Sequence, residues 1–235
     1  MGLLKDLQDH ATQTFREQWS TRDGQVVPSP TDLKLSNDAV QFDRATVLYA
    51  DLTGSTNMVD TLGWQKAAEI YKSFLFCAGK IIREGNGVIT SYDGDRVMGV
   101  FIGNRQTTNA AICGLKINWA VQSIINPALT KQYSGNTFAV SQVVGIDTST
   151  VCAARTGVRG DNDIVWVGRA ANYAAKLTEI KLAERTWLTE YAYTNLADEA
   201  KFGGNPKQDM WKRFTWTQHG NIPVYGSTYW WPISN

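Results

Sequence analysis

Two aspartates stand beside predicted β-strands, and their placement indicates metal-dependent phosphate chemistry. Asp51 ends the nearly continuous apolar segment 45–52, and Asp95 lies at a hairpin tip beside Asp93-Gly94. Either motif alone is usually a turn, so the pairing is the informative feature. A carboxylate among apolar strand residues is costly to bury alone, and a cation shared with a second carboxylate removes that cost. Hard oxygen ligands of this kind favour Mg²⁺ or Mn²⁺.

Residues near these aspartates have side chains or amides that suit a nucleotide. Tyr49 lies two residues before Asp51 on the same strand face, where it would either border a base or pack in the core. Arg96 follows Asp95 and would either reach a pyrimidine O2 or a phosphate, or lie exposed on its hairpin. The turn after Asp51 offers backbone N–H groups at a helix N-terminus, which suit phosphate oxygens. That turn consists of Thr53, Gly54, Ser55 and Thr56.

Patterns of apolar residues predict the strands and helices that position this site. Strands are expected at 45–52, 88–92, 96–102, 138–146, 150–154, 164–167, 187–189, 213–218 and 222–231. One helix is expected after the turn at 53–56, with apolar residues from Met58 to Ile81 and a stop at residues 85–87. Further helices are expected over about 106–125, with an end before Pro127, and over 170–180. Segments 138–146 and 150–154 are expected to pair with each other. This order, with its short hairpins, predicts an α+β fold: a mixed, largely antiparallel sheet with helices packed on one face.

An amphipathic helix is predicted before this domain. Its apolar residues recur at helical spacing: Leu3, Leu4, Leu7, Ala11, Phe15 and Trp19. The helix is expected to end near residues 20–24, and a polar, proline-containing linker follows to about residue 43. We therefore divide the chain into an N-terminal helix and linker, 1–43, and a catalytic domain, 44–235. The helix is expected to dock on the domain, with dimerisation and regulation as alternatives.

Composition excludes several classes of function. Lys plus Arg is 23 against 22 for Asp plus Glu, so the basic excess typical of proteins that bind long nucleic acids is absent. No apolar run approaches the roughly 18 residues of a membrane span, and the N-terminus does not resemble a signal peptide. Three widely spaced cysteines, Cys77, Cys113 and Cys152, favour reduced thiols in the cytoplasm. We expect a cytoplasmic protein that handles a small anion, without nucleic acid or membrane partners.

Four motifs, in order along residues 44–190, resemble those of the class III nucleotidyl cyclases. Residues 48–56 resemble the metal-binding strand and turn of that family, and Gly94-Asp95 resembles its second metal aspartate in a hairpin. Residues 144–147, Val-Gly-Ile-Asp, are similar to a later strand. Residues 168–177, Gly-Arg-Ala-Ala-Asn-Tyr-Ala-Ala-Lys-Leu, are similar to the helix that carries a ribose-orienting asparagine. Any one motif is weak, but the set is specific.

The resemblance implies a class III cyclase-like fold, a lyase activity and roles for individual residues. Asp51, the Leu52 carbonyl and Asp95 are expected to hold two Mn²⁺ or Mg²⁺ ions per active site. Asn172 is expected to position the ribose of a nucleoside triphosphate. Lys176, where the family has arginine, is expected to neutralise the α-phosphate in the transition state, although lysine lacks the planar bidentate fork. The family's groups come from opposite subunits, which implies a homodimer with two shared sites.

The positions that select a purine in that family carry neither purine code here. Ser91 replaces the adenine-selecting lysine, Val165 replaces the adenine-selecting aspartate, and Tyr225 stands where a phosphate-binding lysine often lies. This pattern looks like the pyrimidine cyclases of bacterial anti-phage signalling. It implies a uridylate cyclase that makes cyclic UMP from UTP for a separate effector protein. The alternatives are a cytidylate cyclase, an adenylate cyclase and a catalytically silent, nucleotide-binding regulatory module.

Overall fold

Strands and helices alternate along the chain in the computed structural model, which describes residues 2–135 and 137–233. The strands are β1 (Ser20–Asp23), β2 (Asp38–Leu52), β3 (Val88–Asp93), β4 (Arg96–Phe101), β5 (Gln142–Val158), β6 (Asp161–Val167), β7 (Thr186–Thr189), β8 (Phe202–Gly203), β9 (Gln208–Asp209), β10 (Lys212–Trp216) and β11 (Ile222–Ser227). The helices are α1 (Leu3–Arg16), α2 (Ser55–Leu62), α3 (Trp64–Glu84), α4 (Gln106–Ala120), α5 (Asn126–Gln132), α6 (Arg169–Leu177), α7 (Glu190–Thr194) and α8 (Asp198–Lys201).

The main strands form one mixed sheet in the order β10-β11-β7-β5-β2-β4-β3. β5 and β7 run parallel, and the other neighbours in this row are antiparallel. β1 pairs with the first residues of β2, and β6 pairs with the last residues of β5. The predicted α+β class, with a mixed and largely antiparallel sheet and a preceding helix, is therefore confirmed.

In the described part of the chain, no helix is both long enough and apolar enough to span a membrane.

β5 is one continuous strand, so the predicted pair of strands at 138–146 and 150–154 is wrong. Its middle is polar and resembles a turn in the sequence, but Thr148 is completely buried. The Thr148 hydroxyl forms hydrogen bonds with the hydroxyls of Thr46, at 2.7 Å, and Thr107, at 3.1 Å. Because these buried hydroxyls satisfy one another, the strand crosses the core without turning.

Helices pack on both faces of the sheet, whereas the sequence indicated one face. On one face, Leu48 of β2 packs with residues of α3 and α4 in the largest core cluster. On the other face, α6 lies across β2 and β5. Gly145 permits this close approach, because a Cβ there would lie 2.1 Å from the Ala174 carbonyl oxygen. Since side chains alternate along a strand, Tyr49 and Asp51 face α6 rather than α3 and α4.

Two helices differ from their predicted extents. The segment predicted as one helix over 58–81 is divided into α2 and α3 at Gly63, whose φ of 77° is a backbone conformation that glycine adopts readily. The helix predicted to end before Pro127 continues through a π-helical turn, Val121–Ile125, into α5. Pro127 lies directly after this π-helical turn, where the backbone hydrogen-bond pattern changes.

The N-terminal helix projects from the domain instead of docking on it. No residue of α1 is buried by the described chain, and the Phe15 side chain is 90% exposed. Asn37 joins α1 to the sheet, since its amide donates to the carbonyl oxygens of Thr14 and Glu17 at 2.8 Å. The predicted boundary after residue 43 falls inside β2, whose first residues pair with β1.

Candidate active site

β2 and the β3–β4 hairpin bring the two predicted metal aspartates together. Asp51 pairs with Arg96 across β2 and β4, and Asp95 immediately precedes Arg96 at the hairpin tip. The next residue of β2, Leu52, is buried in the core between the sheet and α3, so Asp51 points to the opposite face. There, the Thr178 hydroxyl lies 3.5 Å from Asp51 Oδ2, and its shorter hydrogen bond goes to the Ala175 carbonyl at 2.6 Å.

The electrostatics of the two carboxylates fit a bound divalent cation. Burial, and after it the nearby Asp95 carboxylate, raise the pKa of Asp51 to about 6, against the lowering effects of Arg96 and Thr178. One oxygen of Asp95, Oδ2, is buried without a hydrogen-bond partner in the described structure. Such an orphaned anionic oxygen is costly unless a cation or a donor meets it. No group of three or more His, Cys, Asp or Glu side chains with metal-binding geometry occurs in the described residues, so this site has two carboxylates.

The turn after Asp51 presents backbone amides, although not all of those predicted. The Thr53 N–H donates to the Ser141 carbonyl at 2.8 Å, so this amide is not available to a phosphate. Gly54 has a φ of 72°, which glycine tolerates, and its carbonyl accepts from the Met58 N–H at 3.0 Å to begin α2. The amides without an acceptor in the described structure are those of Gly54, Ser55 and Thr56.

Two cavities lie on the α6 side of the sheet, and the first contains Asp51. This cavity, which we call the Asp51 cavity, has a volume of about 360 Å³. It joins the end of β2, the turn after it and the loop between α6 and β7. Its lining includes Asp51, Leu52, Thr53, Gly54, Val143, Thr178, Glu179, Lys181 and Arg185. Two carboxylates, Asp51 and Glu179, and two cations, Lys181 and Arg185, thus share one cavity with the turn that is predicted to bind phosphate.

The second cavity, the Tyr49 cavity, has a volume of about 500 Å³ and holds the residues expected to contact a base. Tyr49, Ser91, Val165 and Asn172 all line it. The Arg96 guanidinium lies over the Tyr49 ring, 5.6 Å from its centroid, and Arg96 Nη2 donates to Asp93 Oδ2 at 3.0 Å. The two positions that replace the purine-selecting pair therefore face the same space as the predicted ribose-binding asparagine. A larger apolar cavity of about 750 Å³, between α3 and α5, contains none of the predicted site residues.

α6 presents Asn172 and Lys176 on its outward side. The buried residues of this helix are Ala170, Ala171, Ala174 and Leu177, which pack on the sheet. Asn172 and Lys176 are four residues apart and exposed. Lys176 makes no salt bridge or hydrogen bond through its side chain within residues 2–135 and 137–233, and it lines neither cavity. Asn172 and Asp51 thus belong to different cavities of one chain.

The contacts that hold α6 were missed by the sequence reasoning. Asp147 of β5 is completely buried and accepts two hydrogen bonds from Arg169, at 3.0 Å from Nε and 3.2 Å from Nη2. Thr189 also donates to this carboxylate, and burial raises the pKa of Asp147. Ser149 Oγ accepts from the Ala170 N–H at 2.9 Å, at the start of the helix. An aspartate directly after an apolar strand was a usable signal, since a buried carboxylate needs partners.

Comparison with known proteins decides the family. No family model matches the chain. It is 50% identical to the uridylate cyclase of Burkholderia cepacia over 99% of this chain and all of that protein. The chain belongs to the uridylate cyclase family. The uridylate cyclase of Xanthomonas perforans is 48% identical, again over 99% of this chain and all of the relative.

Solved cyclase structures share the fold of this uridylate cyclase family member. The guanylate cyclase domain of a rhodopsin-guanylate cyclase from Catenaria anguillulae, in complex with GTP, superposes with a TM-score of 0.65. The match covers 81% of this chain and 99% of that domain, at 14% identity, so it shows the fold alone. The predicted class III cyclase fold and family resemblance are confirmed.

Proposed function

We propose that this cyclase converts UTP to 3′,5′-cyclic UMP and pyrophosphate at sites shared by two copies of the chain. Membership of the uridylate cyclase family supports the substrate. The residues that line the Tyr49 cavity are the main structural support for a pyrimidine substrate. There, Ser91 and Val165 offer no charged group to a purine, and the aromatic ring of Tyr49 suits stacking on a pyrimidine. The donor-only Arg96 guanidinium over that ring favours a carbonyl oxygen of the base.

The reaction joins the ribose 3′-oxygen to the α-phosphorus and expels pyrophosphate. Asn172 holds the ribose so that its 3′-hydroxyl faces the α-phosphorus. Lys176 neutralises charge on the α-phosphoryl oxygens, and the amides of Gly54, Ser55 and Thr56 bind the phosphates. Two Mn²⁺ or Mg²⁺ ions, held by Asp51, Asp95 and the Leu52 carbonyl, would lower the pKa of the 3′-hydroxyl and bind triphosphate oxygens.

The separation of Asn172 from Asp51 supports a shared site. Both cavities open on the α6 side of the sheet, and the outward side of α6 is exposed in one chain. A head-to-tail pair with two-fold symmetry brings the Tyr49 cavity of each copy to the Asp51 cavity of the other. Each dimer then has two equivalent sites, and neither copy completes a site alone.

Complementation tests the shared site. The double variant Asp51→Ala, Asp95→Ala and the single variant Asn172→Ala should each be inactive alone. In an equal mixture, half of the dimers are mixed and one of their two sites is intact, so about a quarter of wild-type activity returns. A mixture that demonstrably forms mixed dimers and regains no activity contradicts the shared site.

Product analysis tests the substrate. The purified chain is incubated with Mn²⁺ and each of the four ribonucleoside triphosphates, and the products are identified by mass. Cyclic UMP from UTP is the expected product, in excess of cyclic CMP from CTP. Cyclic AMP alone would contradict the pyrimidine assignment, and no product from any triphosphate would favour the silent regulatory module.

We further infer that cyclic UMP is a cytoplasmic anti-phage signal bound by a separate effector protein. The resemblance to the pyrimidine cyclases supports this role, and the three cysteines are free, as in a reducing compartment. Cells that express the chain should accumulate cyclic UMP after phage infection, and the Asp51→Ala, Asp95→Ala variant should not. Protection that persists in that inactive variant would contradict the signalling role.

A further inference from the structure

Arg96 lies between two carboxylates on the α6 side of the sheet. It is directly opposite Asp51 of β2 and also directly opposite Asp93 of β3. Residues that are directly opposite on antiparallel strands share a face of the sheet, with Cβ atoms about 4.5–5.5 Å apart. The three side chains therefore form a row across β3, β4 and β2, with the cation in the middle. A side chain as long as arginine reaches the carboxylate on either side.

The Arg96 guanidinium bonds the outer of these two carboxylates. Its Nη2 donates to Asp93 Oδ2 at 3.0 Å, and the guanidinium lies over the Tyr49 ring, 5.6 Å from the ring centroid. In the part of the chain that the structure describes, Arg96 makes no salt bridge or hydrogen bond with Asp51 or Asp95. Asp93 and Tyr49 both line the Tyr49 cavity. Arg96 is therefore turned toward the predicted base and away from the predicted metal ligands.

The inner carboxylate is a strong competitor for the same guanidinium. Asp51 is half-buried, whereas the Asp93 side chain is 77% exposed. An ion pair with a well-exposed carboxylate is weak, and the attraction between opposite charges grows as water is removed. Burial and Asp95 raise the pKa of Asp51 while Arg96 lowers it, so Arg96 and Asp51 already interact across the strands. Without the bond to Asp93, the guanidinium should turn to Asp51.

We propose that Asp93 is a positioning residue that holds the Arg96 guanidinium over Tyr49 and so keeps it off the metal ligand Asp51. This assignment rests on the proposed cyclase function and deepens it. An Arg96–Asp51 pair would occupy a carboxylate oxygen that the cation needs, and it would remove the donor that favours a carbonyl oxygen of the base. One exposed aspartate thus serves both metal binding and base recognition, and it does so through Arg96.

Asp163 provides a matched control for Asp93. It is the other charged residue that lines the Tyr49 cavity, and it is exposed as well. Its Oδ1 accepts from the Ile164 N–H at 2.7 Å, and among the described residues it forms no salt bridge with Arg96. Asp163→Asn therefore removes one negative charge from the same cavity without removing the bond that positions Arg96.

A double-mutant cycle in urea and EDTA at pH 8 tests the proposal without metal or nucleotide. The cycle combines Arg96→Gln with Asp51→Asn, and it is measured in the wild type, in Asp93→Asn and in Asp163→Asn. Asn retains the turn chemistry of the hairpin but loses the charge. The coupling between Arg96 and Asp51 in the free energy of unfolding should increase in Asp93→Asn and stay unchanged in Asp163→Asn. Equal coupling with and without Asp93 would overturn the proposal.

Binding of Mn²⁺ alone, followed by the electron paramagnetic resonance signal of the free ion, tests the consequence for the metal. Asp93→Asn should weaken binding about 3- to 5-fold, the scale of an exposed ion pair, and Asp163→Asn should not weaken it. In an Arg96→Gln chain, Asp93→Asn should have no further effect, since the competing cation is gone. The same loss of Mn²⁺ affinity with and without Arg96 would show that Asp93 acts only as a nearby negative charge, which contradicts the proposal.

Kinetics with UTP distinguish this proposal from the proposed function. For an active wild type, Asp93→Asn should raise both the Mn²⁺ concentration at half-maximal rate and the KM for UTP about 3- to 5-fold, with a smaller change in kcat at saturating metal and UTP. Asp93→Glu should recover part of each loss, because it restores the carboxylate. If the wild type turns over no nucleotide, the proposed function fails, and the double-mutant cycle still decides whether Asp93 positions Arg96.

Discussion

Replacing Asp51 by Asn should stabilise the metal-free chain, and by more at pH 8 than at pH 4.5. Burial and Asp95 raise the pKa of Asp51 from 3.8 to about 6, so the folded state binds a proton more tightly than the unfolded state. Wild-type stability from this group is therefore lost as the pH rises from about 4 to above 6. The pKa difference corresponds to about 3 kcal/mol, and partial exposure reduces it to about 1–2 kcal/mol. An asparagine side chain at position 51 would not titrate, so the free energy of unfolding of Asp51→Asn does not fall in this way as the pH rises.

Urea denaturation in EDTA measures this effect as a difference between two pH values. The free energy of unfolding of Asp51→Asn, minus that of the wild type, should be about 1–2 kcal/mol larger at pH 8 than at pH 4.5. Constant effects of the substitution cancel in this comparison. Asp60→Asn, an exposed carboxylate of α2, is the control and should show no such change. An equal difference at both pH values would refute the burial argument.

Adding Mn²⁺ at pH 8 extends the same experiment to the metal. The cation should stabilise the wild type, because it binds the folded chain and offsets the two carboxylate charges. It should stabilise Asp51→Asn much less. Equal stabilisation of both proteins would show that the cation binds elsewhere.

Three further predictions concern the elements that hold the site. Asp147→Asn should lower the free energy of unfolding in urea by about 1–3 kcal/mol, because it weakens the paired hydrogen bonds from Arg169, whose side chain is 45% exposed. An unchanged free energy of unfolding would show that the pair is not stabilising. Gly145→Ala should displace α6 and reduce both stability and turnover, since the new Cβ would lie 2.1 Å from the Ala174 carbonyl oxygen; wild-type melting and activity would contradict that. Burial raises the pKa of Cys113 to about 12, so a thiol reagent at pH 8 should label it only after unfolding, whereas half-buried Cys77 and Cys152 should react in the folded chain.

Local sequence patterns predicted the parts of the fold whose contacts are close along the chain. The hairpin around Asp93-Gly94 was predicted correctly, because Gly94 supplies a positive φ of 60° between two apolar strands. The strand that carries Asp51 was also recognised, although it begins at Asp38 rather than near residue 45. Its first half is less continuously apolar, and pairing with β1 and β5 extends it.

Contacts between distant segments account for what the sequence did not predict. The continuity of β5 depends on hydroxyls of Thr46 and Thr107, which lie 102 and 41 residues from Thr148. The position of Arg185 in the Asp51 cavity depends on β-sheet bonds to residues 41 and 42 positions away along the chain. A charged residue after a helix has no local feature that distinguishes a ligand-binding cation from a solvated one. Cations of this kind can be recognised as candidate ligand-binding residues only once the order of the strands in the sheet is known.

The arrangement of charge explains how a nearly neutral chain can handle a highly charged substrate. Asp51 and Asp95 would repel a triphosphate unless cations accompany it, so binding of metal and nucleotide is expected to be mutually dependent. Arg185 and Lys181 lie in the same cavity as Asp51, whereas the Tyr49 cavity is lined by mostly neutral residues near Asn172. Charged side chains are therefore denser in the cavity proposed for phosphate than in the cavity proposed for the base, where the charged lining residues are Asp93 and Asp163. That division lets base selection change through neutral positions such as Ser91 and Val165 without disturbing the phosphate chemistry.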